Sequence, residues 1–134
     1  MALTDMEHYL VLTSNLTATR DFYRDALGMA EGFRPPLGFP GHWMYIGATA
    51  VIHIAEWETY TAHSNGKEIP VTAPAASTGA FDHVAFKAED FAEVSARLER
   101  HGVTPARNLV SNSGLRQLFV FDPNGVKIEI NFRG

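Results

Sequence analysis

The chain has 134 residues, of which 46% are hydrophobic and 19% are charged, a composition typical of one globular domain. It has no cysteine, which excludes disulfides and thiolate metal sites, and no recognisable secretory or membrane-spanning segment, so we expect a cytoplasmic protein that does not enter a membrane. The net charge of −4, with acidic and basic residues interspersed, argues against nucleic acid and favours a small-molecule partner.

The first half of the chain predicts a strand, a helix and two further strands. The first strand begins at His8. The helix begins at Thr17, the expected N-cap, and stops before Gly28, which suits the left-handed conformation that often closes a helix. Its predicted buried face consists of residues spaced four apart, namely Ala18, Phe22 and Ala26. The later strands are predicted over 43–46 and 50–55.

The second half repeats this order, starting from a strand at His83. Asp90, with Glu93 three residues later, predicts the start of a helix that ends before Gly102. The predicted buried face of this helix is Phe91, Val94 and Leu98. Two strands, over 118–121 and 126–132, flank an Asp-Pro-Asn-Gly turn, which predicts a hairpin.

The internal repeat defines the predicted domain organisation. We expect one α+β domain made of two modules, spanning about 5–58 and about 80–133. The segment 60–79 is rich in Pro, Ala, Ser and Thr and is predicted to link them.

Four side chains that can bind a metal occupy equivalent positions in the two modules. His8 and His83 open the first strands, whereas His53 and Glu129 lie in the last strands. Strand alternation turns His53 and Glu129 away from the isoleucines beside them, and a carboxylate in such a strand needs a cation nearby. The equivalence of the four positions therefore predicts one metal site formed by His8, His53, His83 and Glu129.

Each of these residues also has an ordinary structural interpretation. A single strand histidine is usually a hydrogen-bonded core or surface residue. Glu129 could be an exposed edge-strand residue paired with Lys127 or Arg133.

Several segments of the chain resemble the glyoxalase/bleomycin-resistance/dioxygenase superfamily. They are His8-Tyr-Leu-Val-Leu, Phe22-Tyr…Leu-Gly-Met29, Asp82-His-Val-Ala-Phe86 and Asp122-Pro-Asn-Gly-Val-Lys-Ile-Glu129. The stretch from Arg34 to Ile54 resembles a glyoxalase-I-like subgroup. The resemblance implies two βαβββ modules whose mixed sheets form cups around a metal, and a homodimer in which the site lies within one chain or is shared by two.

The resemblance also implies roles for the four candidate ligands. His8, His83 and Glu129 match the ligands found throughout the family, and His53 stands where glyoxalase-I-like members commonly have a glutamate. The expected cofactor is one divalent ion per site, and this donor set suits Zn, Ni, Mn, Co or Fe(II). Two adjacent oxygens of a substrate can chelate such an ion, and the ion then stabilises negative charge that develops on them.

The expected activity is therefore that of a glyoxalase-type lyase or isomerase, with Glu129 as the catalytic base. The first alternative is an Fe(II) extradiol-type dioxygenase, because two histidines and one carboxylate form the facial triad of such enzymes. The absence of a tyrosine after Tyr60 and of a histidine after His101 weighs against it. A further alternative is an antibiotic-resistance enzyme or small-molecule binding protein of the same superfamily.

Five residues are candidates for substrate binding. Arg34, Phe39 and Trp43 are expected to form an aromatic lid that carries a charge, although the two aromatic residues could instead belong to the core or a dimer interface. Arg116 and Gln117, predicted on a loop over 111–117, could bind an anionic or carbonyl group. The alternative for Arg116 is a solvated loop arginine. His42 and His63 are expected at the surface.

Overall fold

A computed structural model describes residues 2–110 and 113–133 of the chain. The chain divides into two compact units, one formed by Met1–Arg24 and Gly28–Pro74 and the other by Asp25–Leu27 and Ala75–Gly134. Each unit contains a four-stranded mixed sheet in βαβββ order, so the predicted α+β class and its repeated modules are confirmed. Within the described ranges, no helix is both long enough and apolar enough to cross a membrane.

The first unit has the strand order β1-β4-β3-β2. Strand β1 runs parallel to β4, and the other two pairings are antiparallel. A second helix, α2, follows β4 directly. In chain order the elements are β1 (Tyr9–Thr13), α1 (Leu16–Asp21), a π-helical turn (Phe22–Ala26), β2 (Ala30–Gly32), β3 (Gly41–Ile46), β4 (Thr49–Glu56) and α2 (Trp57–Ser64).

The second unit repeats this topology with the strand order β5-β8-β7-β6. Strand β5 is parallel to β8, which lies in the interior of its sheet and not at an edge. The short strands β2 and β6 were not predicted from the sequence. The elements are β5 (Val84–Lys87), α3 (Phe91–Arg100), β6 (Ala106–Val110), β7 (Leu115–Phe121) and β8 (Lys127–Phe132).

The register of the parallel strand pairs is the same in both units. Leu10 pairs with His53, and the second residue before Leu10 is His8. Ala85 pairs with Glu129, and the second residue before Ala85 is His83. Because alternate strand residues share a face, each histidine lies on the same side of its sheet as the last-strand candidate of its own unit.

The first helix differs from the prediction in its start and in its buried face. Asn15, not Thr17, is the N-cap, and its side chain accepts a hydrogen bond from the backbone N–H of Ala18 at 3.0 Å. The buried residues of this segment are Thr19, Tyr23 and Ala26. The buried face is therefore offset by one residue from the predicted one, from Ala18 to Thr19 and from Phe22 to Tyr23, and the offset is already present before the π-helical turn begins at Phe22. Gly28 has φ +76°, as predicted for a residue that closes a helix.

The start and end of the second predicted helix agree with the structure, but of its predicted buried face only Leu98 is buried, whereas Phe91 and Val94 are half-buried and Ser95 is buried. The Asp90 side chain accepts a hydrogen bond from the backbone N–H of Glu93 at 3.1 Å, and Gly102 has φ +74° after the last turn. Helix α2 occupies the end of the first predicted module and the start of the predicted linker. The linker boundaries 60–79 therefore remain a prediction.

The core of each unit lies under one face of its sheet. In β8, Ile128, Ile130 and Phe132 are buried at 0, 5 and 3% exposure, as strand alternation predicts. The alternate residues Lys127 and Glu129 are half-buried on the other face. In β4, Ile52 and Ile54 are buried whereas His53 is half-buried. The candidate ligands thus lie on the face of each sheet that the aliphatic core does not use.

Candidate functional site

In the first unit, three rings form a continuous stack. The rings of His8 and His53 have centroids 3.6 Å apart and planes 12° apart. The Trp43 ring covers the same His53 ring, at 3.9 Å and 9°. The stack follows from the register, since Trp43 pairs with His53 across the antiparallel strands β3 and β4. It brings together two predicted metal ligands and one predicted substrate residue.

The chemical states of the two stacked histidines follow from their neighbours. His8 Nδ1 lies 2.8 Å from a carboxylate oxygen of Glu7. An ionised carboxylate only accepts hydrogen bonds, so Nδ1 carries the hydrogen and Nε2 of a neutral ring keeps its lone pair. Burial, and next the neighbouring His8, lower the pKa of His53 to about 4. His53 is therefore neutral near pH 7, the form that binds a metal.

A pocket of about 170 Å³ opens beside this stack, entirely within the first unit. Its polar lining comes from His8, His53 and Arg34. The apolar and aromatic lining residues are Leu10, Leu37, Phe39, Trp43, Ile54 and Tyr60. The structure therefore places all three predicted lid residues, Arg34, Phe39 and Trp43, around one cavity together with the two histidines.

Arg34 is the cationic side chain of this pocket. Its Nη2 donates a hydrogen bond to the Phe39 backbone carbonyl at 2.8 Å, and its guanidinium lies 4.9 Å from the centroid of the Phe39 ring. Its Nε is buried without a hydrogen-bond partner. No aspartate or glutamate in the described ranges pairs with Arg34. Burial lowers the pKa of the guanidinium, which indicates a cation that has lost water without gaining a counter-ion.

In the second unit, His83 and Glu129 face each other across the parallel strands β5 and β8. His83 Nε2 lies 3.4 Å from Glu129 Oε1, and the Glu129 side chain is only 14% exposed. His83 Nδ1 lies 2.7 Å from Asp82, which also pairs with Lys127 at 2.9 Å. Hydrogen bonds from His83 and Lys127 lower the pKa of Asp82. Asp82 therefore accepts the Nδ1 hydrogen and leaves Nε2 directed to Glu129.

A row of amides continues from Glu129 across the sheet. Asn131 Nδ2 donates to Glu129 Oε2 at 2.7 Å, and Gln117 Nε2 donates to Asn131 Oδ1 at 3.1 Å. Asn108 Nδ2 in turn donates to Gln117 Oε1 at 2.7 Å. The three amide residues are register partners on β6, β7 and β8. The chain of hydrogen bonds ends at Glu129 Oε2, whereas His83 lies near Oε1.

Two expectations about substrate residues need correction. Arg116 and Gln117 lie in strand β7 and not in a loop, although residues 111 and 112 of the predicted loop lie outside the described residues. Successive strand residues point to opposite faces, and Arg116 lies over the Phe91 ring of helix α3 at 4.4 Å. Gln117 joins the amide row of Glu129, whereas Arg116 does not.

Several residues near the site were missed or assigned elsewhere by sequence reasoning. Tyr60, assigned to the linker, lines the pocket from helix α2. His63 is half-buried, with its ring centroid 4.6 Å from that of Phe39, and half-buried His42 bonds to Glu31. Glu7 and Asp82 each precede a candidate histidine, and this repeated acid-His pair was a sequence signal for their role. Glu129 is neither an edge residue nor paired with Lys127 in the described structure.

The donor atoms of His83 and Glu129 fit a divalent metal in type and spacing. With Nδ1 protonated, His83 Nε2 and Glu129 Oε1 are two electron-pair donors facing each other, which favours a cation between them. Two donors each about 2.1 Å from one metal ion lie roughly 3 to 3.5 Å apart, and the observed 3.4 Å agrees with this. No three described His, Asp or Glu side chains form a complete metal-binding group. His8 and His53 lie near each other in the first unit, and His83 and Glu129 do so in the second.

Comparison with known proteins agrees with this architecture. Glyoxylase I 4 of Arabidopsis thaliana is 30% identical over 131 residues, which cover 96% of this chain and 70% of that protein. The crystal structure of lactoylglutathione lyase from Agrobacterium tumefaciens has a TM-score of 0.72 at 19% identity, covering 98% of this chain and 96% of the other. The fosfomycin resistance protein FosX from Listeria monocytogenes has a TM-score of 0.71 at 14% identity, covering 98% and 95%.

The two crystal structures are less than 25% identical to this chain in sequence and therefore establish the fold alone. The family follows from the sequence model of the superfamily, which matches residues 5–130 of this chain. The chain belongs to the Glyoxalase/Bleomycin resistance protein/Dioxygenase superfamily.

Proposed function

We propose that the protein is a divalent-metal-dependent lyase or isomerase of the glyoxalase type, acting on a small substrate that presents two adjacent oxygens. The observation that carries this proposal is the facing pair His83 Nε2 and Glu129 Oε1, 3.4 Å apart, together with the pair His8 and His53 at the equivalent register. The name of the Arabidopsis relative, Glyoxylase I 4, supports a reaction of the glyoxalase type.

The proposed metal ligands are His8, His53, His83 and Glu129. One pair comes from each unit, and the two pairs are supplied by one chain or by the two chains of a homodimer. When bound, a divalent ion would act as a Lewis acid toward the adjacent oxygens of the substrate. Zn, Ni, Mn, Co and Fe(II) all suit a set of three imidazoles and one carboxylate.

The chain's own residues have separate tasks in this proposal. Asp82 and Glu7 hold the Nδ1 hydrogens and so keep Nε2 of His83 and His8 as electron-pair donors. The Glu129 carboxylate, once it leaves the metal, takes a proton from one substrate carbon and returns it to the neighbouring carbon, as a general base and then a general acid. Asn131 holds Oε2 of the same carboxylate, which orients Oε1.

Metal analysis of the purified protein is the first test. We expect about one divalent ion per chain, lost in His83→Ala and Glu129→Ala and retained in His101→Ala, a matched histidine at the exposed end of helix α3. Absence of metal after reconstitution with each candidate ion would refute the metalloenzyme proposal.

The identity of the metal distinguishes a lyase or isomerase from a dioxygenase, and the Glu129→Gln variant tests the proposed base. With Zn, Ni, Mn or Co, we expect turnover of 2-oxoaldehydes, assayed with and without glutathione. Glu129→Gln is expected to be inactive while it keeps metal, and full activity would exclude Glu129 as the base. A native Fe(II) centre with ring-cleaving activity would instead favour the dioxygenase alternative. The third candidate function is an antibiotic-resistance enzyme or a small-molecule binding protein, and the structural similarity to a fosfomycin resistance protein is consistent with it.

A further inference from the structure

The first-unit pocket contains a positive charge that the described chain does not neutralise. Arg34 lines the pocket, and its only hydrogen bond to a described residue goes to the Phe39 carbonyl. A guanidinium has five N–H donors, so most of them remain available. A partly buried cation is unfavourable unless an anion or several acceptors answer it.

The guanidinium is held in place before any ligand binds. The Phe39 ring lies against it, and the Phe39 carbonyl fixes Nη2. Strand β3 leaves space for it at Gly41, where an added Cβ would lie 3.0 Å from Arg34 Nη2 and 2.3 Å from the Ile54 carbonyl oxygen. A planar, fixed guanidinium is suited to bidentate binding of a carboxylate.

The rest of the pocket limits the size and character of the ligand. A cavity of roughly 150 Å³ lined by apolar side chains can hold benzene, and the volume here is about 170 Å³. Phe39, Trp43 and Tyr60 provide aromatic walls, and His8 and His53 provide nitrogen donors. The pocket therefore matches a molecule with one anionic group, a ring-sized apolar part and polar atoms near the histidines.

We infer that Arg34 binds the carboxylate of a small organic acid with an adjacent oxo or hydroxyl oxygen, which is a substrate or product of the proposed reaction. This inference deepens the proposed function, because the same pocket would hold the substrate beside the metal ligands. Anion binding by Arg34 does not itself require the metal, so the two proposals can fail separately.

The test uses the metal-free protein, stripped with a chelator, and 2-oxo-2-phenylacetate as the probe. Binding is followed by the emission of Trp43 in a Trp57→Phe background. We expect the acid to bind at least about tenfold more tightly than its methyl ester, since a charged hydrogen-bonded contact contributes roughly 1.5 to 3 kcal/mol. Added salt should weaken binding of the acid and leave the ester unchanged.

Substitutions of Arg34 test whether this residue binds the carboxylate of the probe. Arg34→Gln should lower the affinity for the acid to that for the ester, and Arg34→Lys should have an intermediate affinity because it keeps the charge and loses the planar fork. Arg24→Gln, outside the pocket in the same unit, should bind like the parent protein. If Arg34→Gln does not fold by circular dichroism, the acid-ester comparison and Arg34→Lys decide.

Two results would overturn the inference. One is equal affinity of the parent protein for the acid and the ester. The other is unchanged affinity of folded Arg34→Gln for the acid. Loss of metal binding in the His83 and Glu129 variants concerns the proposed function alone, because the anion measurement is made without metal.

Discussion

His8 and His53 stack face to face, with ring centroids 3.6 Å apart and planes 12° apart. The lone pair of an imidazole nitrogen lies in the plane of its ring. Two nitrogens that bind one ion must direct their lone pairs to a common point, which parallel stacked rings do not do. If both histidines bind the same metal, at least one ring must therefore turn out of the stack.

This requirement predicts that metal binding alters the emission of Trp43, because Trp43 lies on the other face of His53 at 3.9 Å. Zn²⁺ is added to the metal-free Trp57→Phe protein, and emission is recorded against the ion bound. We expect a saturable change in Trp43 emission. The Trp43→Phe protein, in which only Trp57 remains, serves as control. Full Zn²⁺ occupancy without any change in Trp43 emission would contradict the predicted rearrangement.

The low pKa of His53 predicts how the stability of the metal-free protein depends on pH. Its pKa is about 4 in the folded state, below the ordinary value of 6.5, so the unfolded state binds the proton more readily between these values. The contribution of His53 to stability is thus complete above about pH 6.5 and is lost as the pH falls toward 4.

Denaturation midpoints at pH 7 and pH 4.5 test this pH dependence. Their difference should be smaller in His53→Gln than in the parent protein, whereas His101→Gln should leave it unchanged. A proton NMR titration of the His53 ring gives an independent measurement. A midpoint near 6.5 in that titration would show that the ring is not shielded as the structure indicates.

The acidic residue before each candidate histidine predicts an effect on metal affinity. Asp82→Asn and Glu7→Gln each replace a carboxylate that holds a histidine Nδ1 hydrogen, at 2.7 and 2.8 Å. Loss of such a partner typically lowers metal affinity by about 10- to 100-fold. Competition with a chromophoric chelator measures the change, and Asp5→Asn is the exposed control. Affinities equal to the parent value would mean that these carboxylates do not orient the rings.

Alanine substitutions of the neighbouring residues Arg116 and Gln117 are expected to have different effects, one on stability and the other on activity. Gln117→Ala removes the donor to Asn131, which in turn holds Glu129, so we expect kcat/KM to fall about fivefold, equivalent to roughly 1 kcal/mol. Arg116→Ala removes the nearer of two guanidinium groups over the Phe91 ring, the other being that of Arg107, and should lower the free energy of unfolding by about 0.5 to 1 kcal/mol, with kcat/KM unchanged. The reverse pattern would place Arg116 at the substrate.

Local periodicity in the sequence predicted most of the architecture, except the short strands β2 and β6. The two-residue alternation of β8 predicted that Ile128 and Ile130 are buried and that Glu129 faces away from them. The repeat of a histidine, a helix and a hairpin predicted two equivalent modules, and the family resemblance implied their βαβββ order. Periodicity failed in the first helix, where Thr19 and Tyr23 are buried instead of Ala18 and Phe22.

Strand and helix periods and the repeat are properties of neighbouring residues, so the order of the modules and the residue types that can bind a metal could be read from the sequence, and the family from its motifs. Which side chains meet depends on how the chain folds. The stack of Trp43 on His53, the bond from Asn131 to Glu129 and the position of Tyr60 in the Arg34 pocket depend on strand register and on how helix α2 follows the sheet. Such contacts join residues through the pairing of separate segments, and no local pattern encodes the partner.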